Sequence, residues 1–200
     1  MKELLKGAAR GIATIAIVPN LVSYWLRAAL MDESRALSGS TQMLSLVPGL
    51  CGQYLRRAFL ARVLRGGCAP SAAIEFGTLF SQPGSRIDEN VYIGPRCHLG
   101  HVHLERDVLL AAGVHVPSGP DTHGTDLSSP IHGQTGRLRL VRIGAGSWIG
   151  SNAVILADVG RDTIVGAGAV VTHPLPDRVI AAGVPARNVR RRDEPAMVSA

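Results

Sequence analysis

The residues best suited to chemistry in this sequence are histidines, and most of them are clustered. Five of the seven histidines lie between residues 98 and 123, namely His98, His101, His103, His115 and His123. An imidazole titrates at about pH 6.5, so it accepts a proton near neutral pH, and in its neutral form it is a common zinc ligand. The cluster therefore indicates either general-base catalysis or a metal centre.

The cysteines indicate no further site. Cys51, Cys68 and Cys97 are odd in number and widely spaced, so they predict neither a disulfide framework nor a CxxC metal site. Free cysteines are usual in reducing compartments. The default expectation is therefore a cytoplasmic protein.

The clustered histidines lie within a repeat whose step is six residues. An aliphatic residue stands at each step, glycine often follows it, and a small or β-branched residue comes four positions later. The aliphatic positions are Ile87, Ile93, Leu99, Leu104, Leu110, Val116, Ile143, Ile149, Ile155, Val165 and Val171. The small or β-branched positions are Val91, Cys97, Val108, Val114, Ser147, Ala153 and Ala169.

A period of six residues predicts a parallel β-helix, in which three short strands and three corners form one coil. The aliphatic residue points into a narrow prism, the small residue fits beside the corner, and glycine relieves backbone strain at the bend. The composition agrees, because 46% of the residues are hydrophobic but only 4% are aromatic. We therefore predict an all-β solenoid over residues 68–192.

Two segments interrupt or end this repeat. Residues 117–140 are rich in Gly, Pro, Ser and Asp and predict a loop that projects from the prism. A loop of that length within a compact repeat is usually functional or disordered. After Val171 the prolines of the following segment predict the end of the repeat, and residues 193–200 are expected to form a frayed tail.

The positive charge is concentrated in residues 1–67, which we predict to be a separate helical segment. They contain nine Lys and Arg and three Asp and Glu, whereas residues 68–200 contain twelve of each sign. A basic patch confined to one segment argues against nucleic acid binding and fits an anionic membrane surface better. Residues 12–30 are mostly apolar, but Pro19, Asn20, Ser23 and Arg27 weaken the case for a spanning helix.

Residues 53–65 predict an amphipathic basic helix. Leu55, Phe59 and Val63 recur at helical spacing. The arginines around them are Arg56, Arg57, Arg62 and Arg65. Two interpretations stay open for the N-terminal segment: peripheral docking on the inner face of the cell membrane, or a helical cap on the main domain whose arginines are merely solvated.

The stretch from Ile143 to Arg190 resembles the hexapeptide-repeat acyltransferases, which include galactoside, maltose and serine acetyltransferases. The resemblance rests on IGAGSWIGSNAVI at 143–155, IVGAGAVVTHPLP at 164–176 and IAAGVPARNVRR at 180–191, in that order. The N-terminal SLVPGLCGQYLRRAF also looks like the leader of acetyltransferases from exopolysaccharide clusters. The family resemblance implies a left-handed β-helix, acetyl-CoA as acyl donor, no metal ion, and a homotrimer with active sites between subunits.

The resemblance also implies roles for individual residues. His123 occupies the place of the family's catalytic histidine, a general base that deprotonates the acceptor, and His132 is the fallback position. On the donor side, Trp148 matches a groove-side tryptophan, and Arg187 and Arg190 match arginines near the nucleotide phosphates. The remaining matches for the donor site are Ser151 near the thioester, Ala167 and Gly168 along the pantetheine arm, and Thr172 and His173 at a family Thr-Lys pair.

The function expected from this resemblance is acetyl-CoA-dependent O-acetylation of a hydroxyl on a sugar or glycan precursor. One alternative is a zinc enzyme like the gamma-type carbonic anhydrases, because His98 and His103 have the spacing seen in that group. The following residues, HLERDV, depart from that group's pattern. A second alternative is a β-helix scaffold without catalytic activity, anchored by the basic N-terminal segment.

Overall fold

The computed structural model describes residues 2–194 as a layer of helices followed by a solenoid of short strands. The helices are α1 (Lys2–Ala16), α2 (Val18–Leu30), α3 (Glu33–Ser45) and α4 (Gly49–Val63). The strands are β1 (Ala73–Ile74), β2 (Leu79–Phe80), β3 (Arg86–Ile87), β4 (Tyr92–Ile93), β5 (His98–Leu99), β6 (Val102–Leu104), β7 (Leu109–Leu110), β8 (His115–Val116), β9 (Val141–Ile143), β10 (Trp148–Ile149), β11 (Val154–Ile155), β12 (Ile164–Val165), β13 (Val170–Val171), β14 (Val179–Ala182) and β15 (Arg187–Arg191).

The chain winds through about six coils, and the strands of successive coils form three parallel sheets. The predicted parallel β-helix is therefore confirmed. The first sheet runs β1-β4-β7-β10-β12-β14, and the second contains β2, β5, β8, β11 and β13. The third sheet is β3-β6-β9, and isolated bridges extend it to Cys68 at one end and to Val159 and Leu175 at the other. Each sheet therefore stacks equivalent residues of successive coils.

The aliphatic residues of the six-residue repeat form the core of the solenoid. All eleven of them are at most 2% exposed, and the small or β-branched residues four positions later are also buried. The repeat begins one coil earlier than its aliphatic pattern indicates, because Ile74 and Phe80 of the first coil are buried in the same core. The aliphatic pattern misses this coil because one of its core positions is an aromatic residue, Phe80. Its ring lines a small cavity together with Phe59 of α4, where the helices cover the end of the prism.

The glycines that follow the aliphatic residues were expected to relieve backbone strain at the bends, but the structure shows a different role for them. None of Gly94, Gly144 and Gly150 has a positive φ, so they do not relieve strain at the bend. A Cβ at Gly150 would lie 2.5 Å from the backbone nitrogen of Ala167 in the next coil, and one at Gly94 2.7 Å from Ala111. These glycines are therefore required by the close approach of neighbouring coils.

The prediction that the prolines after Val171 end the repeat is wrong. β14 pairs in parallel with β12, and Leu175 and Ala181 are buried, so a sixth coil follows these prolines. β15 then folds back and pairs antiparallel with β14, which covers the last edge of the first sheet. Of the tail predicted at 193–200, residues 195–200 lie outside the described residues.

The four helices cover the first coil, and α4 packs against β1 while α3 packs against β2. In the interpretation of this segment as a helical cap, its arginines are merely solvated, and this is wrong for Arg56, which is 3% exposed. Its Nε donates to the backbone oxygen of Ile74 (2.9 Å), and its Nη1 donates to those of Leu44 (3.0 Å) and Val47 (2.7 Å). Arg56 therefore joins α3 and α4 to the solenoid.

Candidate active site

The predicted donor residues lie partly on one corner of the solenoid, between the first and second sheets. We call residues 150–152, 166–168 and 182–184 the stacked corner, because they are equivalent positions of three successive coils. The backbone N–H of Gly168 donates to the oxygen of Ser151 (2.8 Å), and that of Val170 donates to the oxygen of Gly183 (3.0 Å). The stacked corner is thus a continuous strip of backbone along the prism.

Small residues keep this strip open to an extended ligand. Ala167 and Gly168 are exposed, and Gly168 has a left-handed φ of +67° that glycine adopts without strain. The position of a Cβ at Gly168 meets nothing within 4 Å, so the space beside this backbone is free of other described atoms. A flexible chain such as a pantetheine arm fits a strip of this kind.

Trp148 adds an exposed ring close to the stacked corner. It lies on β10, two residues before Gly150, and its side chain is 49% exposed although its strand neighbour Ile149 is fully buried. The alternation of a short strand makes Trp148 point outward. Its flat surface is available to a ligand or to another subunit.

Thr172 and His173 lie elsewhere. They follow β13 and occupy the corner between the second and third sheets, so the width of the second sheet separates them from the stacked corner. The Oγ1 of Thr172 is 2.9 Å from the Nδ1 of His173, so the two side chains are joined by a hydrogen bond. The structure therefore divides the predicted donor residues between two corners that flank the second sheet.

Arg187 and Arg190 lie on β15, beside the last coil of the stacked corner. Arg187 pairs with Ala182 of β14 in the antiparallel register. Nη1 of Arg187 donates to its neighbour's carbonyl at Ala186 (3.2 Å), and Nη1 of Arg190 donates to the backbone oxygens of Arg191 and Glu194. Within residues 2–194 neither guanidinium forms a salt bridge. Both cations are suited to an anionic group.

His123 lies in the loop that leaves the solenoid after β8 and returns at β9. Backbone hydrogen bonds from Arg137 to Asp121 (2.6 Å) and from Arg139 to Ser118 (2.8 Å) join the two arms of this loop. Gly136 packs so closely on the backbone of residues 122 and 123 that a Cβ there would overlap it. His123 is exposed, and His132 is exposed on the single 3₁₀ turn Ile131–Gly133.

Two further histidines meet on the outer face of the second sheet. His98 on β5 and His115 on β8 are in register, and His115 Nε2 lies 2.8 Å from His98 Nδ1. Burial, and to a lesser extent the charge of His115, lowers the pKa of His98. The sequence signal for this pair is their separation by one coil, which single-residue reasoning missed.

The histidine pair suggested by the zinc alternative does not form. His98 belongs to the second sheet, whereas His103 lies on β6 in the third sheet, where its Nε2 is 2.9 Å from Asp88 Oδ2. Among the residues that the structure describes, no group of three or more His, Cys, Asp or Glu side chains has an arrangement that would hold a metal ion.

Comparison with known proteins finds acetyltransferases among the similar proteins. Residues 140–173 match the family model described as the hexapeptide repeat of succinyl-transferase. The putative lipopolysaccharide biosynthesis O-acetyl transferase WbbJ of Escherichia coli K12 is 28% identical over 176 residues, which are 72% of this chain and 90% of that protein. Galactoside O-acetyltransferase of the same strain is 27% identical over 60% of this chain and 70% of its own.

In sequence and in fold the chain is similar to the hexapeptide-repeat acyltransferases, as its sequence predicts. The predicted acyltransferase activity class is thereby confirmed. The crystal structure of a maltose O-acetyltransferase from Clostridium difficile 630 has the same fold, with a TM-score of 0.69 at 19% identity over 83% of this chain and 91% of the other.

In this acyltransferase the residues that match the family model, 140–173, contain only part of the candidate site. Trp148, Ser151, Ala167, Gly168, Thr172 and His173 fall within residues 140–173. His123, Arg187 and Arg190 lie outside that segment. The roles of all nine residues remain predictions, and the structure supplies their positions on the solenoid.

Proposed function

We propose that this acyltransferase transfers an acetyl group from acetyl-CoA to a hydroxyl of a sugar or glycan precursor. Relatives named as a lipopolysaccharide biosynthesis O-acetyl transferase and a galactoside O-acetyltransferase support this substrate class. The stacked corner carries the proposal, because it is an exposed strip of small residues that leads to two guanidinium groups without carboxylate partners among residues 2–194. Such a strip suits a long, flexible donor that ends in phosphates.

In the proposed reaction His123 acts as general base. Its imidazole takes the proton from the acceptor hydroxyl, while the hydroxyl oxygen attacks the thioester carbonyl directly. The tetrahedral intermediate then expels the CoA sulfur, which recovers the proton from the imidazolium. Ser151 is the nearest candidate to donate a hydrogen bond to the oxyanion, since its side chain is partly exposed at the stacked corner.

The placement of His123 favours a site that is shared between chains. Its loop leaves at the corner between the second and third sheets, whereas Ser151 lies at the corner between the first and second sheets. One chain therefore presents its proposed base and its proposed donor strip on different edges of the prism. We propose a homotrimer in which His123 of one subunit acts beside the donor strip of its neighbour.

Release of the CoA thiol in the presence of sugar acceptors tests this function. With a panel of free sugars and nucleotide sugars, we expect acceptor-dependent release by the wild-type protein. The His123→Ala variant should lose about 100-fold or more in kcat, because a general base contributes at least that factor. His132→Ala, in the same exposed loop, is the matched control and should retain activity.

Either of two outcomes would contradict the proposal. Loss of activity in His132→Ala with full activity in His123→Ala would show that the base is misplaced. Thiol release with amine acceptors but with none of the hydroxyl acceptors would show that the enzyme transfers its acyl group to nitrogen.

A further inference from the structure

The helices α1 and α2 expose an apolar surface, although other apolar side chains of the same helices already pack on the protein. Ala13, Ile17 and Tyr24 face inward and are at most 4% exposed. The outward side chains form the opposite stripe, which we call the outer helical face; it consists of Ile12, Ile15, Val18, Val22, Trp25, Leu26 and Leu30, each at least 48% exposed. A helix with apolar side chains on two opposite faces is normally covered on both faces.

The outer helical face continues into a groove between α1 and α4. This groove has a volume of about 490 Å³ and an almost entirely apolar lining that includes Ile12, Ala16, Leu50 and Leu55. Leu50 is 70% exposed and extends the apolar surface onto α4. Exposed apolar surface of this extent marks an interaction site.

A basic pocket adjoins the apolar groove. Arg10, Arg57 and Arg62 line it, and Tyr54 belongs to both the pocket and the groove. Arg57 lies over the Tyr54 ring, 4.6 Å from its centroid, and Arg62 Nη2 donates to Thr14 Oγ1 (3.0 Å). The described lining of this pocket contains no carboxylate. Cationic and apolar surfaces thus lie side by side, as an anionic lipid requires.

We propose that the outer helical face, the apolar groove and the basic pocket bind the surface of an anionic phospholipid membrane. The guanidinium groups bind lipid phosphates, and the apolar side chains enter the acyl-chain boundary. The sequence supports this charge preference, because residues 4–31 contain Lys6, Arg10 and Arg27 and no acidic residue. Trp25 is 53% exposed, and tryptophan favours the boundary between headgroups and acyl chains.

A second copy of the chain fits this surface less well than a membrane does. In a twofold-symmetric dimer the same patch faces itself, so the arginines of one pocket meet groups of this same patch on the partner. The basic pocket offers no carboxylate to neutralise them. An anionic lipid surface supplies the missing charge.

The helices lie on the membrane and do not cross it. Within the described residues no single helix is long and apolar enough to span a bilayer. The pair Lys6–Ala16 and Val18–Leu30 together has the length and composition of a span, but it is bent by 46°. Arg27 Nη2 donates to Ser40 Oγ (2.7 Å), and Tyr24 Oη donates to Glu33 (3.1 Å), so α2 is held against α3. Insertion across the bilayer would break these contacts.

Sedimentation with extruded vesicles tests this proposal. We expect the wild-type protein to bind vesicles of phosphatidylcholine in which about one lipid in three is the anionic phosphatidylglycerol. It should bind vesicles of pure phosphatidylcholine weakly. Ile15→Asp/Leu26→Asp should abolish binding. Arg10→Gln/Arg62→Gln should reduce the partition coefficient by roughly tenfold to thirtyfold. Raised salt should weaken wild-type binding.

Matched controls separate the surface from general charge and hydrophobicity. Arg106→Gln/Arg161→Gln removes the same charge from exposed positions on the solenoid, and Leu127→Asp changes a fully exposed leucine in the 117–140 loop. Both controls should bind like wild type, and all variants should keep the wild-type unfolding midpoint.

Three results would overturn the proposal. One is an absence of binding to either vesicle composition, and another is equal binding to both compositions that persists in Arg10→Gln/Arg62→Gln. The third is self-association without lipid binding that is abolished by Ile15→Asp/Leu26→Asp, which would assign the surface to a second copy. None of these results bears on thiol release, so the proposed acyl transfer stands or falls separately.

Discussion

The imidazoles of His98 and His115 meet because neighbouring coils bring residues of the same sheet into register. Their Nδ1 and Nε2 atoms are 2.8 Å apart on the outer face of the second sheet, between the two corners that hold the predicted donor residues. Burial, and to a lesser extent the neighbouring His115, disfavours the protonated form of His98 and lowers its pKa. His98 therefore makes the stability of the folded state depend on pH.

We predict a pH dependence of stability that His98→Gln reduces. The pKa of His98 is lowered in the folded protein, so the unfolded chain binds a proton at higher pH than the native chain does. The stabilisation is present above the unfolded pKa of about 6.5 and is lost as the pH falls towards the folded pKa. Urea unfolding between pH 8 and pH 5 measures this loss. These limits lie about 1.5 pH units on either side of the unfolded pKa of about 6.5.

The wild-type protein should lose more unfolding free energy across this range than His98→Gln does. His132→Gln removes an exposed loop imidazole and should follow the wild-type curve. Parallel curves for wild type and His98→Gln would contradict the assignment.

The sequence predicted which single residues are buried, but it did not predict which residues of neighbouring coils pair with each other. The buried ladder from Ile87 to Val171 follows directly from the six-residue step. The pairing of His98 with His115, which are 17 residues apart, does not follow from exact six-residue steps, because the coils differ in length. Ala73 pairs with Tyr92, Tyr92 with Leu109 and Trp148 with Ile164, which are separations of 19, 17 and 16 residues. A fixed period cannot give the register of such coils.

At the scale of the elements, the attachment of α4 to α3 and to the solenoid depends on one buried cation, Arg56. Arg56 lies among the C-terminal end of α3, α4 and the first coil, and its donors satisfy three backbone oxygens. Helical periodicity treats an arginine as an outward residue, so the amphipathic pattern of 53–65 predicted the helix but placed Arg56 in solvent. Only the packed structure shows the carbonyl groups that hold it.

We predict that Arg56→Ala lowers the free energy of unfolding by about 3 kcal/mol, because it leaves buried carbonyls unpaired and opens a cavity. Chemical denaturation measures this change. Arg35→Ala, at an exposed position of α3, should change stability by less than about 0.5 kcal/mol. Equal effects of the two substitutions would show that Arg56 does not join the helices to the solenoid.

At the scale of the whole molecule, the resemblance predicts a trimer that one chain does not display. The outside of the first sheet carries an apolar ladder that could contact a neighbouring subunit. Its residues Tyr92, Leu109 and Trp148 are in register and 37–49% exposed. Sequence predicts the solenoid because its contacts repeat along the chain. It does not predict which outward residues meet another subunit, because outward positions carry no period.

Light scattering after gel filtration checks the assembly. We expect a mass of three times the chain mass of 21.1 kDa. Leu109→Glu should shift the mass towards a single chain, because it places a charge within the apolar ladder, whereas Leu127→Glu in the exposed loop should leave the mass unchanged. A wild-type mass equal to one chain would contradict the shared site.

The most direct test of the proposed acyl transfer is a calorimetric titration with acetyl-CoA. We expect wild-type binding with a Kd on the order of micromolar, the lower range of typical substrate affinities. Arg187→Ala/Arg190→Ala should weaken binding about tenfold or more, because charged hydrogen bonds to the phosphates are lost. Arg106→Ala/Arg161→Ala should bind like wild type. Undetectable binding to the wild-type protein, or equal affinity for all three proteins, would contradict a donor site along the stacked corner.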